Sequence, residues 1–319
     1  MFLLILSSAR LRDDIKDGLK NTFPNEEFHF YKNMKEAKAY LNQAEILLSY
    51  GEDLTDELVA ESKELQWIMV ISAGLDRMPF KALEKQDILI TNARGIHKTP
   101  MAEYTISMML QVSRKASLLL KNQKQHTWNR KVPITEISGK TLGILGTGAI
   151  GCEIARLAKA FNMKTIGFNR SGHSAENCDV IVDREGISTL YGESDFIVNV
   201  LPSTPHTYRF VGKNAFSLMK QNAVFINIGR GKTVDEEELI TALQAEKIGH
   251  AVLDVFEKEP LKEESPLWDM KNVTVTPHLS GISPQYQERA IEIFCDNLTL
   301  YRNDKRKEMI NIIPYDRGY

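Results

Sequence analysis

The chain has 319 residues, 43% of them hydrophobic and 26% charged, which excludes a fibre or a disordered protein and indicates a globular one. Its formal net charge of -2 gives no overall field to hold nucleic acid or an anionic membrane, so we expect a small-molecule ligand instead. Cys152, Cys178 and Cys295 are widely spaced and fit no metal-ligand pattern. We therefore expect no metal site and a reducing, cytoplasmic setting.

The first part of the chain alternates short apolar runs with helix-compatible stretches. The run from Phe2 to Leu6 is too short for a signal peptide or a membrane span and is predicted to be a strand. Further strands are predicted at residues 27–30, 46–49, 67–71 and 88–91, and helices at 10–20 and 34–42. This alternation is typical of a parallel α/β unit.

A long helix is predicted in "TPMAEYTISMMLQVSRKASLLLKNQ", which starts at Thr99. Its apolar face would carry Met101, Tyr104, Met108 and Val112. Because its length is more typical of an interdomain helix than of a crossover helix, we place a domain boundary at its start.

A second series of strands and helices follows, beginning at "KTLGILGTGAIG". The predicted strands lie near residues 142–145, 164–168, 179–182, 196–200, 224–228, 250–254 and 273–276. Such a series predicts a doubly wound sheet. The last amphipathic stretch, with Ala290, Ile293, Phe294 and Leu298 on one face, could return to pack on the first domain, and the second domain would then be an insertion.

The glycine-rich turn "GTGAIG" lies between a predicted strand and a predicted helix, the context in which this motif binds a dinucleotide. Gly146 permits the tight turn, Gly148 lets the backbone approach a pyrophosphate, and Gly151 allows close packing of helix and strand. Ala149 and Ile150 open the helix, whose amino end attracts the phosphates.

The end of the next strand reads Asn169, Arg170, Ser171 where NAD-binding proteins normally present an acidic residue to the adenosine ribose. Asn169 removes a carboxylate that would repel a 2'-phosphate, and Arg170 and Ser171 could donate hydrogen bonds to one. We therefore expect NADP to be preferred and NAD to remain possible. The alternative is that Arg170 is a solvated surface residue and Asn169 binds the ribose diol.

Seven blocks occur in order along the chain: "ISAGLDRM", "TNARGIHKTPMAEYT", "GILGTGAIG", "NVLPSTPHTYRF", "FINIGRG", "DVFEKEPL" and "TPHLSG". In these blocks the sequence resembles the D-2-hydroxyacid dehydrogenase family over nearly its whole length. The resemblance implies a flavodoxin-like substrate domain at residues 1–98 and 285–319, a Rossmann-type NAD(P)-binding domain at residues 99–284, and a homodimer.

The resemblance also implies a catalytic trio. Arg230 matches the arginine that holds the substrate carboxylate, an interaction for which its planar fork is suited. His278 matches the acid and base that gives a proton to the ketone oxygen, and Glu259 matches its partner, which favours the charged imidazole. The chain would then reduce a small 2-keto acid to the D-2-hydroxy acid, and catalyse the reverse reaction, with a nicotinamide cofactor.

Other positions are carried over from the family in the same way. Asp254 matches the acceptor of the nicotinamide carboxamide, and the alternative is that it only caps a turn. The rest of the cofactor site would include the segment Val200, Leu201 and Pro202, together with Thr207, Ile228 and Gly229. The substrate carboxylate would meet the backbone amides of the loop Ser72, Ala73 and Gly74.

The substrate within this class stays open. Where phosphoglycerate dehydrogenases carry basic residues, this chain reads "LLSYGEDL", with two acids beside Tyr50 and Gly51, so a phosphorylated substrate is disfavoured. Glyoxylate, hydroxypyruvate and branched or aromatic 2-keto acids remain possible, and Tyr50 favours a less polar side chain. An alternative function is a nucleotide-sensing regulatory protein on the same fold. A dehydrogenase of amino acids or sugars would not explain the ordered blocks of Arg230, Glu259 and His278.

Overall fold

The computed structural model describes residues 3–72, 75 and 77–315, and the chain divides into two compact units. One unit is Met1–His97 with Ser283–Tyr319, and the other is Lys98–Ile282, so the second is inserted in the first. Each is an α/β structure around one parallel sheet. Within the described residues, no helix is both long and apolar enough to cross a membrane.

The first unit is flavodoxin-like, with a five-stranded parallel sheet in the order β2-β1-β3-β4-β5. The strands are β1 (Leu4–Ser7), β2 (Glu27–Phe30), β3 (Ile46–Ser49), β4 (Trp67–Val70) and β5 (Leu89–Asn92). The helices are α1 (Asp13–Thr22), α2 (Met34–Ala37), α3 (Asp56–Glu61) and α4 (Phe80–Lys85), and a 3-10 turn at Lys38–Gln43 replaces the end of the predicted second helix. Every residue of β3 and β4 is buried, as expected for inner strands of a sheet covered on both faces.

The second unit is a Rossmann-type, doubly wound parallel sheet in the order β12-β11-β10-β9-β6-β7-β8. Its helices are α5 (Lys98–Ser113), α6 (Ala116–Lys124), α7 (Ala149–Ala160), α8 (Ile187–Glu193), α9 (Lys213–Leu218) and α10 (Glu236–Gln244). Its strands are β6 (Thr141–Leu145), β7 (Lys164–Phe168), β8 (Val180–Val182), β9 (Phe196–Asn199), β10 (Val224–Asn227), β11 (His250–Leu253) and β12 (Val273–Val275). The seven strands predicted for this part of the chain, and the doubly wound parallel sheet that they form, are therefore confirmed.

The prediction of one long helix from Thr99 is wrong, because the helix breaks between α5 and α6. Lys115 has a φ of 55°, which is left-handed and cannot continue a right-handed helix. The predicted apolar face is also shifted: Met101 is buried, but Tyr104, Met108 and Val112 are only partly buried. The residues that α5 buries are Met101, Ala102, Thr105, Ile106, Met109 and Ser113.

The last helix, α11 (Tyr286–Arg302), returns to the first unit. It buries Phe294 against Trp67 of β4, with their ring centroids 5.3 Å apart. Ala290 and Leu298 are fully buried in the same core cluster, while the predicted Ile293 is only partly buried. The packing of the C-terminal stretch on the first domain is thus confirmed.

Candidate active site

The ends of the parallel strands in the second unit bring most of the predicted site residues to one edge of the sheet. Carboxyl ends of parallel strands share an edge, and ligands of doubly wound proteins bind there, at the point where the strand order reverses. In this sheet the reversal is at β6, which pairs with β9 on one side and β7 on the other. The residues that follow the strands, in the order from β12 across the sheet to β7, are His278, Asp254, the segment from Ile228 to Arg230, the segment from Val200 to Pro202, Gly146 and Asn169.

The glycine-rich turn after β6 has the geometry that a dinucleotide requires. Gly146 has a φ of +104°, which L side chains rarely adopt. A Cβ on Gly148 would meet no heavy atom within 4 Å, so the backbone there is open to a ligand, whereas a Cβ on Gly151 would clash with the Gly146 carbonyl. Helix α7 starts at Ala149, so its first amides point out of the turn as donors for phosphate. These residues fit a bound NAD(P).

Two cysteines lie beside this turn. The Cys152 thiol is 3.4 Å from the Thr147 carbonyl oxygen, and a Cβ on Gly167 would lie 3.0 Å from the Cys178 sulfur. Burial raises the pKa of both thiols, that of Cys178 to about 11. They therefore stay protonated and act as small packing residues rather than nucleophiles.

The loop after β7 is organised by Asn169. Its amide nitrogen donates to the Thr147 hydroxyl and to the His173 carbonyl, both at 2.9 Å, and its amide oxygen accepts from Ser171 at 3.1 Å. Asn169 thus ties the loop to the glycine-rich turn. Arg170 is exposed and makes no hydrogen bond or ion pair within the described part of the chain, so its charge is available to a ligand.

One carboxylate near this loop escaped the sequence analysis. A Cβ on Gly172 would lie 3.9 Å from Asp183 Oδ2. The carboxylate of Asp183, the residue after β8, therefore lies beside the loop that follows β7. Its other oxygen, Oδ1, accepts from the backbone amides of Glu185 and Gly186. The Asp183 carboxylate would repel an anionic group that approached this loop.

The segments after β9 and β10 pack against each other in the middle of the edge. A Cβ on Gly229 would lie 2.8 Å from the Leu201 carbonyl oxygen, so only glycine allows this approach. Buried Asn199 donates to Asn227 at 3.0 Å and to Thr233 at 2.7 Å. Farther along, the Thr207 hydroxyl donates to the Pro202 carbonyl oxygen at 2.6 Å.

Arg230 follows this packed segment and is partly buried. Its Nη1 donates to the neighbouring Gly229 carbonyl oxygen at 2.9 Å, which fixes one side of the guanidinium. Its other nitrogens have no hydrogen-bond partner among the described residues and can hold an anion. Gly231, the next residue, touches the backbone of Phe256 so closely that a Cβ would clash with it.

His278 and Glu259 form a hydrogen-bonded pair, with 2.7 Å between Nδ1 and Oε2. The other oxygen of Glu259 accepts from the Phe256 amide at 3.0 Å, so the carboxylate is held in place. Because a carboxylate only accepts, Nδ1 carries the hydrogen, and Nε2 is the ring nitrogen left for chemistry. The imidazole is half exposed, at 52%, and accessible to a ligand.

Asp254 is fully buried and its carboxylate is engaged by the chain itself. Oδ1 accepts from the Thr276 hydroxyl at 2.6 Å and the Leu279 amide at 2.9 Å, and Oδ2 accepts from the Ser280 amide at 2.9 Å. Asp254 therefore does cap the turn after β12, the alternative to a role in cofactor binding. Its Oδ2 can still accept one further hydrogen bond.

In the first unit, Ser72 lies just after β4, and its hydroxyl donates to the Tyr50 carbonyl oxygen at 3.1 Å. The Tyr50 hydroxyl accepts from Gln287 at 3.3 Å. Ala73 and Gly74, the other residues predicted to meet the substrate carboxylate, lie outside the described residues.

Sequence reasoning missed several polar residues of this edge, among them Asn199, Asn227, Thr276 and Tyr104. Asn199 and Asn227 are the last residues of otherwise apolar, buried strands, a signal that could have identified them. Thr276 lies inside the quoted block "TPHLSG". The sequence places Tyr104 on an apolar helix face, a pattern that gives no sign of its hydroxyl contact.

Comparison with known proteins gives the same family. Residues 106–280 match the model of the D-isomer specific 2-hydroxyacid dehydrogenase NAD-binding domain. Glyoxylate/hydroxypyruvate reductase B of Yersinia pestis is 32% identical over 83% of this chain and 83% of its own length. D-3-phosphoglycerate dehydrogenase of Methanocaldococcus jannaschii is 32% identical over 85% of this chain, which spans only 53% of that relative's length.

Solved structures agree. A D-isomer specific 2-hydroxyacid dehydrogenase family protein from Aeromonas salmonicida has a TM-score of 0.87 at 32% identity, over 99% of this chain and 100% of that one. An NADPH-dependent glyoxylate/hydroxypyruvate reductase from Sinorhizobium meliloti, in complex with NADP and sulfate, has a TM-score of 0.83 at 25% identity, covering both chains completely. The chain therefore belongs to the D-isomer specific 2-hydroxyacid dehydrogenases, and is an oxidoreductase that binds NAD(P) and acts on the CH–OH group of 2-hydroxy acids.

Proposed function

We propose that this enzyme reduces a small, unphosphorylated 2-keto acid to the D-2-hydroxy acid, preferring NADPH, with His278 as the proton donor. The observation that carries the proposal is the 2.7 Å bond between Glu259 and His278 Nδ1. It orients the imidazole and puts the hydrogen on Nδ1, so that Nε2 is the ring atom that faces the ketone oxygen and exchanges the proton with it. The bound nicotinamide supplies the hydride.

Arg230 holds the substrate carboxylate in this proposal. The guanidinium can bind a carboxylate through two parallel hydrogen bonds, and its bond to the Gly229 carbonyl limits its rotation. With the carboxylate fixed, the adjacent ketone is oriented relative to His278, and a positioned acid is worth far more than one in solution.

The preference for NADPH rests on the β7 loop. Arg170 is exposed and carries an unpaired charge within the described chain, and Asn169 leaves no carboxylate at the β7 end. Asp183 acts in the opposite direction, so we expect a moderate preference. The Sinorhizobium meliloti reductase, which holds NADP, supports this direction.

We also propose a cytoplasmic homodimer. Helix α6 buries none of its side chains within the protomer, Leu120 is 58% exposed and Trp128 is 92% exposed. An isolated helix as short as α6 is marginal in water. A second copy of the chain would cover the exposed apolar side chains of α6 and Trp128. The cysteines are unpaired, which fits a reducing compartment. Sedimentation of the parent protein and of Trp128→Ala tests the assembly, because loss of this contact should shift the protein towards monomer.

A panel assay tests the reaction. Purified protein and NADPH are mixed with glyoxylate, hydroxypyruvate, pyruvate, ketoisovalerate, ketopantoate and phenylpyruvate, and product chirality is determined for each active substrate. We expect oxidation of NADPH with at least one of them and a D product. Tight cofactor binding without turnover on any of the six would favour a nucleotide-sensing protein instead.

A further inference from the structure

A chain of hydroxyl groups connects helix α5 to the loop that carries His278. The Tyr104 hydroxyl lies 2.6 Å from the Thr276 hydroxyl, which in turn lies 2.6 Å from Asp254 Oδ1. Thr276 has one hydroxyl hydrogen, and it goes to the Asp254 carboxylate. Tyr104 must therefore be the donor to Thr276, so the chain of hydrogen bonds has one direction, from α5 to Asp254.

Asp254 receives the backbone of the His278 turn. Its carbonyl oxygen accepts from the His278 amide at 2.9 Å, and its carboxylate accepts from the next two amides, those of Leu279 and Ser280. Three consecutive amides thus converge on one residue. His278 itself has a φ of 51°, a left-handed conformation that is uncommon for a residue other than glycine.

We propose that Tyr104 is a positioning residue for His278, acting through Thr276 and Asp254. The inference rests on the proposed role of His278 as the acid. By donating to Thr276, Tyr104 fixes the rotamer in which the threonine hydroxyl points at Asp254, and so supports the carboxylate that holds the left-handed turn.

The environment of Tyr104 suits this role. Burial raises the pKa of the tyrosine to about 12, so the hydroxyl remains a neutral donor over the range in which the enzyme would work. Phenylalanine at this position would keep the ring and the packing, and would remove only the donor. The Thr276 hydroxyl would then lose its partner on the α5 side.

The test combines Tyr104→Phe with Thr276→Val and the conservative Thr276→Ser. We expect Tyr104→Phe to lower kcat about 10-fold, with the KM for keto acid and the Kd for NADPH within about 2-fold of the parent, since a small misplacement of a catalytic group mainly affects the chemical step. Thr276→Val should cost about 10- to 100-fold in kcat, and Thr276→Ser should stay within about 3-fold. The double variant Tyr104→Phe, Thr276→Val should be no slower than Thr276→Val alone, because the two residues act in series.

A matched control is Tyr191→Phe on α8. The Tyr191 hydroxyl is buried and has no hydrogen-bond partner among the described residues, so its loss should leave kcat unchanged. Thermal melting shows whether each variant is folded. Independent effects of Tyr104→Phe and Thr276→Val that multiply in the double variant, or a Tyr104→Phe enzyme as fast as the Tyr191→Phe control, would overturn the proposal.

A second readout needs no turnover. In cofactor-free protein labelled with ¹⁵N-histidine, the ring nitrogens of His278, assigned by comparison with His278→Gln, report which nitrogen carries the hydrogen. We expect Nδ1–H in the parent and a mixture of tautomers in Tyr104→Phe, and unchanged nitrogen shifts in Tyr104→Phe would refute the inference. If the parent reduces no keto acid, the proposed function fails, but this spectrum still decides whether Tyr104 controls His278.

Discussion

Replacing Gly231 by alanine should lower kcat/KM for the keto acid, although Gly231 does not contact substrate or cofactor in our proposal. Gly231 follows Arg230, and a Cβ there would lie 2.5 Å from the Glu257 amide nitrogen and closer still to the Phe256 carbonyl group. Phe256 in turn donates its amide to Glu259, the partner of His278. The close approach at Gly231 therefore sets the spacing between the arginine and the acid pair.

The size of the effect follows from these contacts. Ordinary Cβ contacts begin at 3.4 Å, so the two backbone segments must separate by about 1 Å or more, and misplacement by 1 Å can cost about 10²-fold in rate. We expect kcat/KM for the keto acid to fall by about 10²-fold or more in Gly231→Ala. Overpacking should also destabilise the protein by about 1 to 3 kcal/mol, which lowers Tm by several degrees.

The assay is steady-state reduction of the best keto acid at a temperature at which the variant is fully folded. Gly249→Ala is the matched control, since its Cβ would meet the Asn222 backbone at 3.0–3.1 Å, at the amino end of β11, away from the proposed site. We expect that control to lose some stability and to keep its activity within about 2-fold, as its neighbours need to move only a few tenths of an ångström. A folded Gly231→Ala enzyme with parental kcat/KM would refute the reasoning.

Three further predictions address the proposed roles directly. His278→Gln should lower kcat by about 10²- to 10⁴-fold with little change in the Kd for NADPH, the range for a lost general acid; near-parental turnover at neutral pH would exclude it as the proton donor. Arg230→Lys should raise KM for the keto acid, because lysine cannot make the two parallel bonds, and an unchanged KM would place the carboxylate elsewhere. The parent should prefer NADPH to NADH by about 5- to 30-fold in kcat/KM, because the screened attraction between Arg170 and the 2'-phosphate is worth about 1 to 2 kcal/mol. The double variant Asn169→Asp, Arg170→Ala should reverse this ratio. A parental preference for NADH, or a ratio insensitive to ionic strength, would make the loop a solvated turn.

The inner strands of both sheets were predictable because parallel strands buried on both faces appear as continuous apolar runs, whereas β2, β8 and β12 at the sheet edges are only partly buried. The run predicted at 224–228 is β10, Val224–Asn227, and that at 196–200 is β9, Phe196–Asn199. The residue after each such run lies at the carboxyl edge of the sheet. The strand runs therefore place Arg230, Asp254 and His278 at one edge, while the family resemblance is what singled out these three residues among their neighbours.

Other features depend on contacts that local sequence does not contain. The break at Lys115 has neither a proline nor a glycine to indicate it, and the left-handed residue there is a lysine. The need for glycine at position 231 arises from a backbone segment some 25 residues later in the chain. The family resemblance implies that Asp254 binds the cofactor, yet most of the hydrogen-bonding capacity of its carboxylate is used by Thr276, Leu279 and Ser280.

Tyr104 shows why hydrophobic periodicity could not reveal this kind of residue. A tyrosine has an apolar ring and a polar tip, so the same side chain can satisfy a helical apolar pattern and also end a hydrogen-bond chain. The ring of Tyr104 does pack against the core of the second unit, as the pattern indicated, while its hydroxyl reaches Thr276, which is 172 residues away in sequence. Tyrosine and phenylalanine are equivalent to such a pattern. If the hydroxyl chain positions His278, the two residues differ about 10-fold in kcat at position 104, because a small change in the geometry of a catalytic group acts on the rate rather than on the packing.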